Sequence, residues 1–215
     1  MTVAVIGTGN IGSRVARRLA EGGVHVVVAG STYASAQRAA ETIGTGAHAA
    51  EVGDAIAAAD VIVFATWFAT TKELLTQYAP QLAGKTVVDP SNNIAPDGSG
   101  GFASQNPEGV SSGQQLAAAV PVGARYVKAF GTLAADQLDS TTTDSGENAV
   151  LFYATDNDAA GDAVAELITK AGYDPVKAGG VNDTARIEVF GELHPYGGLN
   201  GRAIGRAEAV SLLQK

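Results

Sequence analysis

The chain has 215 residues, a formal charge of −8 and no cysteine. Such a length can bury a sizeable core without staples, and the missing cysteines exclude disulfides, thiolate metal sites and thiol nucleophiles. The acidic balance argues against nucleic acid or an anionic membrane as the main partner, and no apolar run approaches the ~20 residues of a bilayer span.

Short apolar runs recur along the chain at residues 3–6, 24–29, 47–50, 61–65, 86–88, 125–129 and 149–153. Most are continuous, the pattern of strands buried on both faces of a parallel sheet. Helical patterns lie between them. In the first, Ile11, Val15 and Leu19 share a stripe, while Arg14, Arg17, Arg18 and Glu21 take the other side. Gly22 and Gly23 stop it. A second helix is expected to follow Thr32 and run to about Ile43, and a third over 71–79, with Thr70 and Glu73 at capping-box spacing. A fourth is expected over 159–171, ended by Gly172 with Pro175 beyond. This alternation predicts an α/β fold, a doubly wound parallel sheet of the Rossmann NAD(P)-binding type, over residues 1–180. Residues 181–215 read as a small C-terminal helical appendage packed on it. Val3 already belongs to the first strand, so no targeting signal is expected. A cytoplasmic location and a homodimer complete the reading.

Two segments break the rhythm. Residues 92–111, NNIAPDGSGGFASQNPEGVS, show neither period and are rich in Gly, Pro and Ser. A loop of that length is either a lid or disordered, and its place after a strand end favours a lid. Residues 136–148 read as a plain surface connection.

Gly7-Thr8-Gly9-Asn10-Ile11-Gly12 is GxGxxG, set between the first strand and the first helix. Gly7 permits the turn, Gly9 lets a pyrophosphate approach the backbone, and Gly12 lets helix and strand pack closely. The helix-start amides then face two phosphates. An NAD enzyme usually places Asp or Glu at the end of the second strand, to hold the adenosine ribose. Here Gly30, Ser31 and Thr32 stand there instead. Neutral hydroxyls accept a 2′-phosphate that a carboxylate would repel, which favours NADP.

Other strand ends supply the rest. Ala65, Thr66 and Trp67 close the fourth strand; the aromatics Trp67 and Phe68 either wall the cofactor or pack under the lid. Asp89, Pro90, Ser91 and Asn92 close the fifth. Their polar groups either bond the nicotinamide side of a cofactor or satisfy turn backbone. Ala129, Phe130 and Gly131 follow the sixth, after Lys128, which pairs either with a substrate anion or with Asp89. His25 and His48 fall in or near strands and read as structural. His194, in the appendage, is a candidate pocket residue, as is Tyr196. No cluster with metal-ligand spacing is present.

"VIGTGNIG", "VVVAGS", "LAGKTVVDPSNN" and "YVKAFGTLAADQL", in this order, resemble the family of coenzyme F420-dependent NADP oxidoreductases. They are similar as well to the cytoplasmic oxidoreductase domain of the STEAP metalloreductases. The resemblance spans residues 2–177. It implies NADP phosphate at Gly30, Ser31 and Thr32, and a deazaflavin or flavin beside residues 130–134. Family members often carry Arg at the position of Thr32 and Asn at that of Gly131.

Three functions stay open at this stage. One is an NADPH-dependent reductase that passes hydride to F420, FMN or FAD, in which the cofactors carry the chemistry and no protein acid or base is required. The second is a reductase of a small carbonyl or imine, which needs a proton donor; Lys128, His194 and Tyr196 are the candidates. The third is a dinucleotide-binding protein without turnover.

Overall fold

A computed structural model describes residues 1–44 and 46–214 of the chain. The first half alternates strand and helix: β1 (Thr2–Ile6), α1 (Asn10–Glu21), β2 (His25–Ala29), α2 (Tyr33–Ile43), β3 (Ala47–Ala49), α3 (Val52–Ala58), β4 (Val61–Phe64), α4 (Phe68–Gln77), α5 (Ala79–Leu82) and β5 (Thr86–Asp89). A two-stranded hairpin follows, β6 (Ile94–Pro96) and β7 (Phe102–Ser104), then α6 (Ser112–Ala119) and β8 (Arg125–Lys128). The chain ends in β9 (Val150–Ala154), α7 (Asp158–Lys170), β10 (Asp174–Gly179) and α8 (Arg206–Leu213).

Eight strands form one sheet in the order β10-β9-β8-β5-β4-β1-β2-β3. Alternate residues of each buried strand feed opposite layers, because side chains alternate across a sheet. Val3, Val5, Val26, Val28, Val61 and Val63 meet Val15 and Leu19 of α1 and Val164 and Ile168 of α7. Ala4, Ile6, Val27, Ile62, Phe64 and Val87 meet Ile56 of α3, Leu75 of α4, Leu82 of α5 and Leu116 of α6.

The sheet is not wholly parallel. β9 runs against β8, while β10 runs parallel to β9. Lys128, the last residue of β8, lies opposite Ala154, the last residue of β9. Antiparallel pairing in that register sends residues 150–153 beyond the carboxyl end of β8. The reversed pair therefore rises as a wall past the edge where the parallel strands stop. Residues 181–214 pack on this wall: Ile187, Leu193, Leu199, Ile204 and Ala209 cover Val150, Phe152, Val176 and Ala178. The appendage is less helical than expected. A 3₁₀ helix, Val181–Ile187, and α8 are joined by turns, in which glycines at 191, 197 and 198 let backbone meet backbone where a Cβ would collide. Lys215, the last residue of the expected appendage, lies outside the described residues.

Other expectations need correction. The third helix starts at Phe68 with Trp67 as its cap, so Thr70 and Glu73 form no capping box. Thr71 instead turns inward to share a hydrogen bond with Thr66, Oγ1 to Oγ1 at 2.8 Å. The loop 92–111 contains the β6–β7 hairpin. The 136–148 connection is docked rather than plain: Asp139 takes Arg14 Nε at 3.0 Å and Arg17 at 2.5 Å, and Arg18 donates to the Leu138 carbonyl at 3.1 Å. His25 and His48 do lie in strands, in β2 and β3, where they are exposed and ring to ring at 5.0 Å. Among the described residues no helix is long and apolar enough to cross a membrane.

Candidate functional site

The glycine motif lies where β1 gives way to α1. Gly7 has φ of +107°, a conformation that side chains resist. Its N–H donates to the Ala29 carbonyl at 2.7 Å, tying the turn to the end of β2. A Cβ on Gly7 would run into the Ala65 carbonyl, and one on Gly12 into the Gly7 carbonyl. Both glycines are required by the fold. Gly9 differs. Its backbone is extended, with φ of −81°, and a Cβ there would meet nothing within 4 Å. No side chain caps α1, and its first turn contains no acid. The open space at Gly9, with uncapped amides behind it, fits a pyrophosphate.

At the end of β2, Thr32 caps α2. Its hydroxyl accepts from Ser35 N–H at 3.2 Å, and the Ser35 hydroxyl donates back to the Thr32 carbonyl at 2.7 Å. Ser31 and Thr32 are exposed, and the first turn of α2 carries no acid either. A Cβ on Gly30 would strike Ser35 Oγ and crowd Thr8 Oγ1 at 3.1 Å, so Thr8 and Gly30 stand side by side. Asn10 and Ile11 open α1 beside them, and the Asn10 side chain accepts from Arg14.

The ends of β5 and β8 hold a buried polar network. Lys128, fully buried, donates to Asp89 at 2.9 Å and to the Ser91 carbonyl, and stands 3.7 Å from Glu188. Asp89 also accepts from Ser91 N–H at 2.7 Å, Ser91 Oγ at 2.6 Å and the Tyr126 hydroxyl at 2.7 Å. Burial, and after it the Asp89 carboxylate, hold the Tyr126 hydroxyl well above its ordinary pKa. Glu188 accepts from Ser112 N–H at 3.0 Å and Gly113 N–H at 2.6 Å, neutralising the start of α6. One network thus joins two strand ends, a helix start and the appendage. Lys128 is spent inside it.

Asn92 makes the next joint. Its amide donates to the Gly131 carbonyl at 3.2 Å, and its oxygen accepts from Val189 N–H at 2.8 Å. Pro90 sits so close to Gly131 that a Cβ there would strike the Pro90 carbonyl. That contact requires glycine at 131. Phe130 is buried with φ of +63°, an unfavourable value for a residue with a side chain. Ala129 is buried beside it.

His194 is buried. Its Nδ1 accepts from Tyr196 N–H at 3.0 Å, and its ring also bonds the Gly131 backbone. Burial above all, with the Lys128 charge as a smaller contribution, lowers its pKa from 6.5 to about 4 despite that bond. The ring is therefore neutral near pH 7. Tyr196 is 57% exposed and Trp67 is 73% exposed. Trp67 is the sole tryptophan of the chain.

The carboxyl edge thus gathers Gly7, Thr8, Gly9, Asn10, Ile11, Gly30, Ser31, Thr32, Ala65, Thr66, Trp67, Pro90, Ser91, Asn92, Ala129, Phe130 and Gly131 from five strand ends. Sequence reading missed Glu188, Tyr126 and Val189. A carboxylate inside the apolar run Ile187-Glu188-Val189-Phe190 was the signal available. A groove of about 580 Å³ opens at the opposite edge, lined in part by Asp60, Lys85 and Arg125. Lys85 there bonds the Ala59 carbonyl and Arg125 that of Gly84, and the groove lies on the opposite edge of the sheet from the glycine turn.

A glycine turn under an uncapped helix, at the carboxyl edge of a mostly parallel sheet, defines a dinucleotide-binding protein of the Rossmann class. Residues 2–93 match the family model described as NADP oxidoreductase, coenzyme F420-dependent. A hypothetical protein from Sinorhizobium meliloti is 31% identical with a TM-score of 0.81, over 90% of this chain and 93% of that one. By the family-model match, residues 2–93 belong with the coenzyme F420-dependent NADP oxidoreductases. A structure from Arthrobacter sp., named for a candidate F420-dependent NADP reductase, is 26% identical with a TM-score of 0.72, over 85% of this chain and 86% of that one. A reductive aminase from Aspergillus terreus, in complex with NADPH and ethyl levulinate, shares the fold at 22% identity and a TM-score of 0.62. That match covers 86% of this chain but only 56% of the aminase. No curated protein sequence matches significantly.

Proposed function

We propose that the protein is an NADPH-dependent reductase whose acceptor is a deazaflavin or a flavin. The observation that carries this reading is the vacant space at Gly9 before uncapped amides, with no acid at the adjoining start of α2. When bound, NADPH supplies the hydride. The chain's own residues hold and shield it. Amides of the Gly7–Gly12 turn face the pyrophosphate. Ser31 and Thr32 offer hydroxyls to the 2′-phosphate. Residues 90–92 and 129–131 line the nicotinamide side.

The proton inventory supports a flavin-type acceptor over a carbonyl. Direct carbonyl or imine reduction needs a donor beside the reacting atom. Lys128 is enclosed by two carboxylates, His194 is buried and neutral with its Nδ1 accepting from Tyr196 N–H, and Tyr196 is largely exposed. Reduction of a flavin or deazaflavin requires none of the three.

Trp67 provides the assay, because its emission overlaps NADPH absorption. Titration with NADPH is expected to quench it and sensitise nucleotide emission, with weaker binding of NADH. The variant Gly9→Ala adds one methyl in open space, so it is expected to melt like the parent and to lose NADPH affinity at least tenfold. Absorbance at 340 nm, followed with FMN, FAD, a 5-deazaflavin and a carbonyl panel, identifies the acceptor class. Oxidation by carbonyls alone, or unchanged nucleotide affinity in Gly9→Ala, refutes the reading.

A further inference from the structure

The turn that brings the appendage onto Asn92 carries a residue in the wrong conformation for its type. Gly191 N–H donates to the Glu188 carbonyl at 2.8 Å, closing a β-turn with Val189 and Phe190 at its centre. Phe190 has φ of +74°. The second central residue of a turn with positive φ there is normally glycine or asparagine. A Cβ at this φ is unfavourable, and Phe adds a large apolar side chain to a residue that is 49% exposed. Phe190 belongs to none of the core clusters, so core packing does not account for its presence.

The turn is held firmly on every side. Glu188, before it, is buried against Lys128 and the start of α6. Val189 bonds Asn92. Gly191, after it, is pressed on the Ala185 and Arg186 carbonyls, and Gly197 packs against the Phe190 backbone. Strain persists only where the surroundings over-determine it, and it collects at ligand sites. The position fits such a site. Phe190 stands one residue from the Asn92 contact, and Asn92 in turn bonds Gly131. Both residues belong to the nicotinamide side proposed above.

We propose that Phe190 is an acceptor-contacting residue, the aromatic face against which a planar tricyclic acceptor stacks beside the nicotinamide. The inference rests on the flavin-type reading above and adds the residue that selects for a flat ring system. An aromatic pair contributes beyond its buried area, and loss of one stacking contact corresponds to about a tenfold change in affinity.

The test uses the full chain and three variants, Phe190→Gly, Phe190→Leu and Phe190→Tyr, with FMN and a 5-deazaflavin as probes. Flavin emission is expected to be quenched on binding to the parent and to Phe190→Tyr, and not in Phe190→Leu. The acceptor KM is expected to rise about tenfold in Phe190→Leu and Phe190→Gly, with kcat and NADPH affinity unchanged. Phe190→Gly relieves the turn, so its melting temperature is expected to equal or exceed that of the parent. A melting temperature lowered by more than about 4 °C in Phe190→Gly assigns the ring to the fold and overturns the proposal. Unaltered quenching and KM in Phe190→Leu overturn it as well, with the flavin-type reading intact. A parent protein that binds NADPH but neither quenches nor reduces either probe overturns that reading, and the role of Phe190 with it.

Discussion

His194 ties the stability of this protein to pH in a direction that can be worked out. Its pKa falls from 6.5 to about 4 on folding, because the ring is buried and, to a smaller extent, because the Lys128 charge is near. The unfolded chain therefore takes up a proton at higher pH than the folded chain does. Stability is intact above pH 6.5 and is lost as pH falls toward 4. At about 1.4 kcal/mol per unit, the whole shift corresponds to roughly 3 kcal/mol, most of it spent by about pH 4.5. The variant His194→Asn keeps an acceptor near Tyr196 and does not titrate. Urea unfolding, followed by far-UV circular dichroism, should give the parent a loss about 2.5 kcal/mol larger than the variant shows between about pH 7.5 and 4.5. Carboxylates common to both proteins cancel in that comparison. Parallel stability curves for the two proteins would show that the ring is not held neutral and would refute the argument.

Other changes have defined outcomes. Lys128→Met leaves Asp89 and Glu188 buried without their cation and should cost about 3–5 kcal/mol in denaturant unfolding, far more than a surface ion pair. Gly131→Ala drives a methyl into the Pro90 carbonyl and should lower stability by about 1–3 kcal/mol, read from the urea midpoint. Thr32→Ala removes the cap of α2 and should cost about 1 kcal/mol, with a matching loss of NADPH affinity in the Trp67 titration. Asp139→Asn releases Arg14 and Arg17; its effect on melting should be small and should vanish at high salt, because both arginines are partly exposed.

The first half of the fold was legible because its signals are local. GxGxxG, the continuous valine runs and the Gly22–Gly23 stop each act within a few residues. Elements were missed where local signals conflicted. α3 has seven residues, rich in alanine, with too few turns to show a stripe. Ser111 and Gln114 do form a capping box for α6, yet the serines and glycine around them resemble loop. Pro175 suggested a chain leaving a helix, whereas it sits in β10, an edge strand that tolerates a missing donor. The Lys128–Glu188 contact joins residues far apart in the chain and has no spacing to reveal it. The left-handed turn at Phe190 has no local sequence signal either.

The reversed strands β9 and β10 have a consequence for how this molecule can change. β1 to β5, with their helices, carry the proposed nucleotide cradle, and the family match ends just past β5. The wall and its coating of turns contribute a different ingredient, the surface beside the cradle. Substitutions in residues 189–201 can therefore remodel that neighbouring surface while the glycine turn stays untouched. Diversification within such proteins should accumulate on the wall, as though one socket were fitted with interchangeable faceplates.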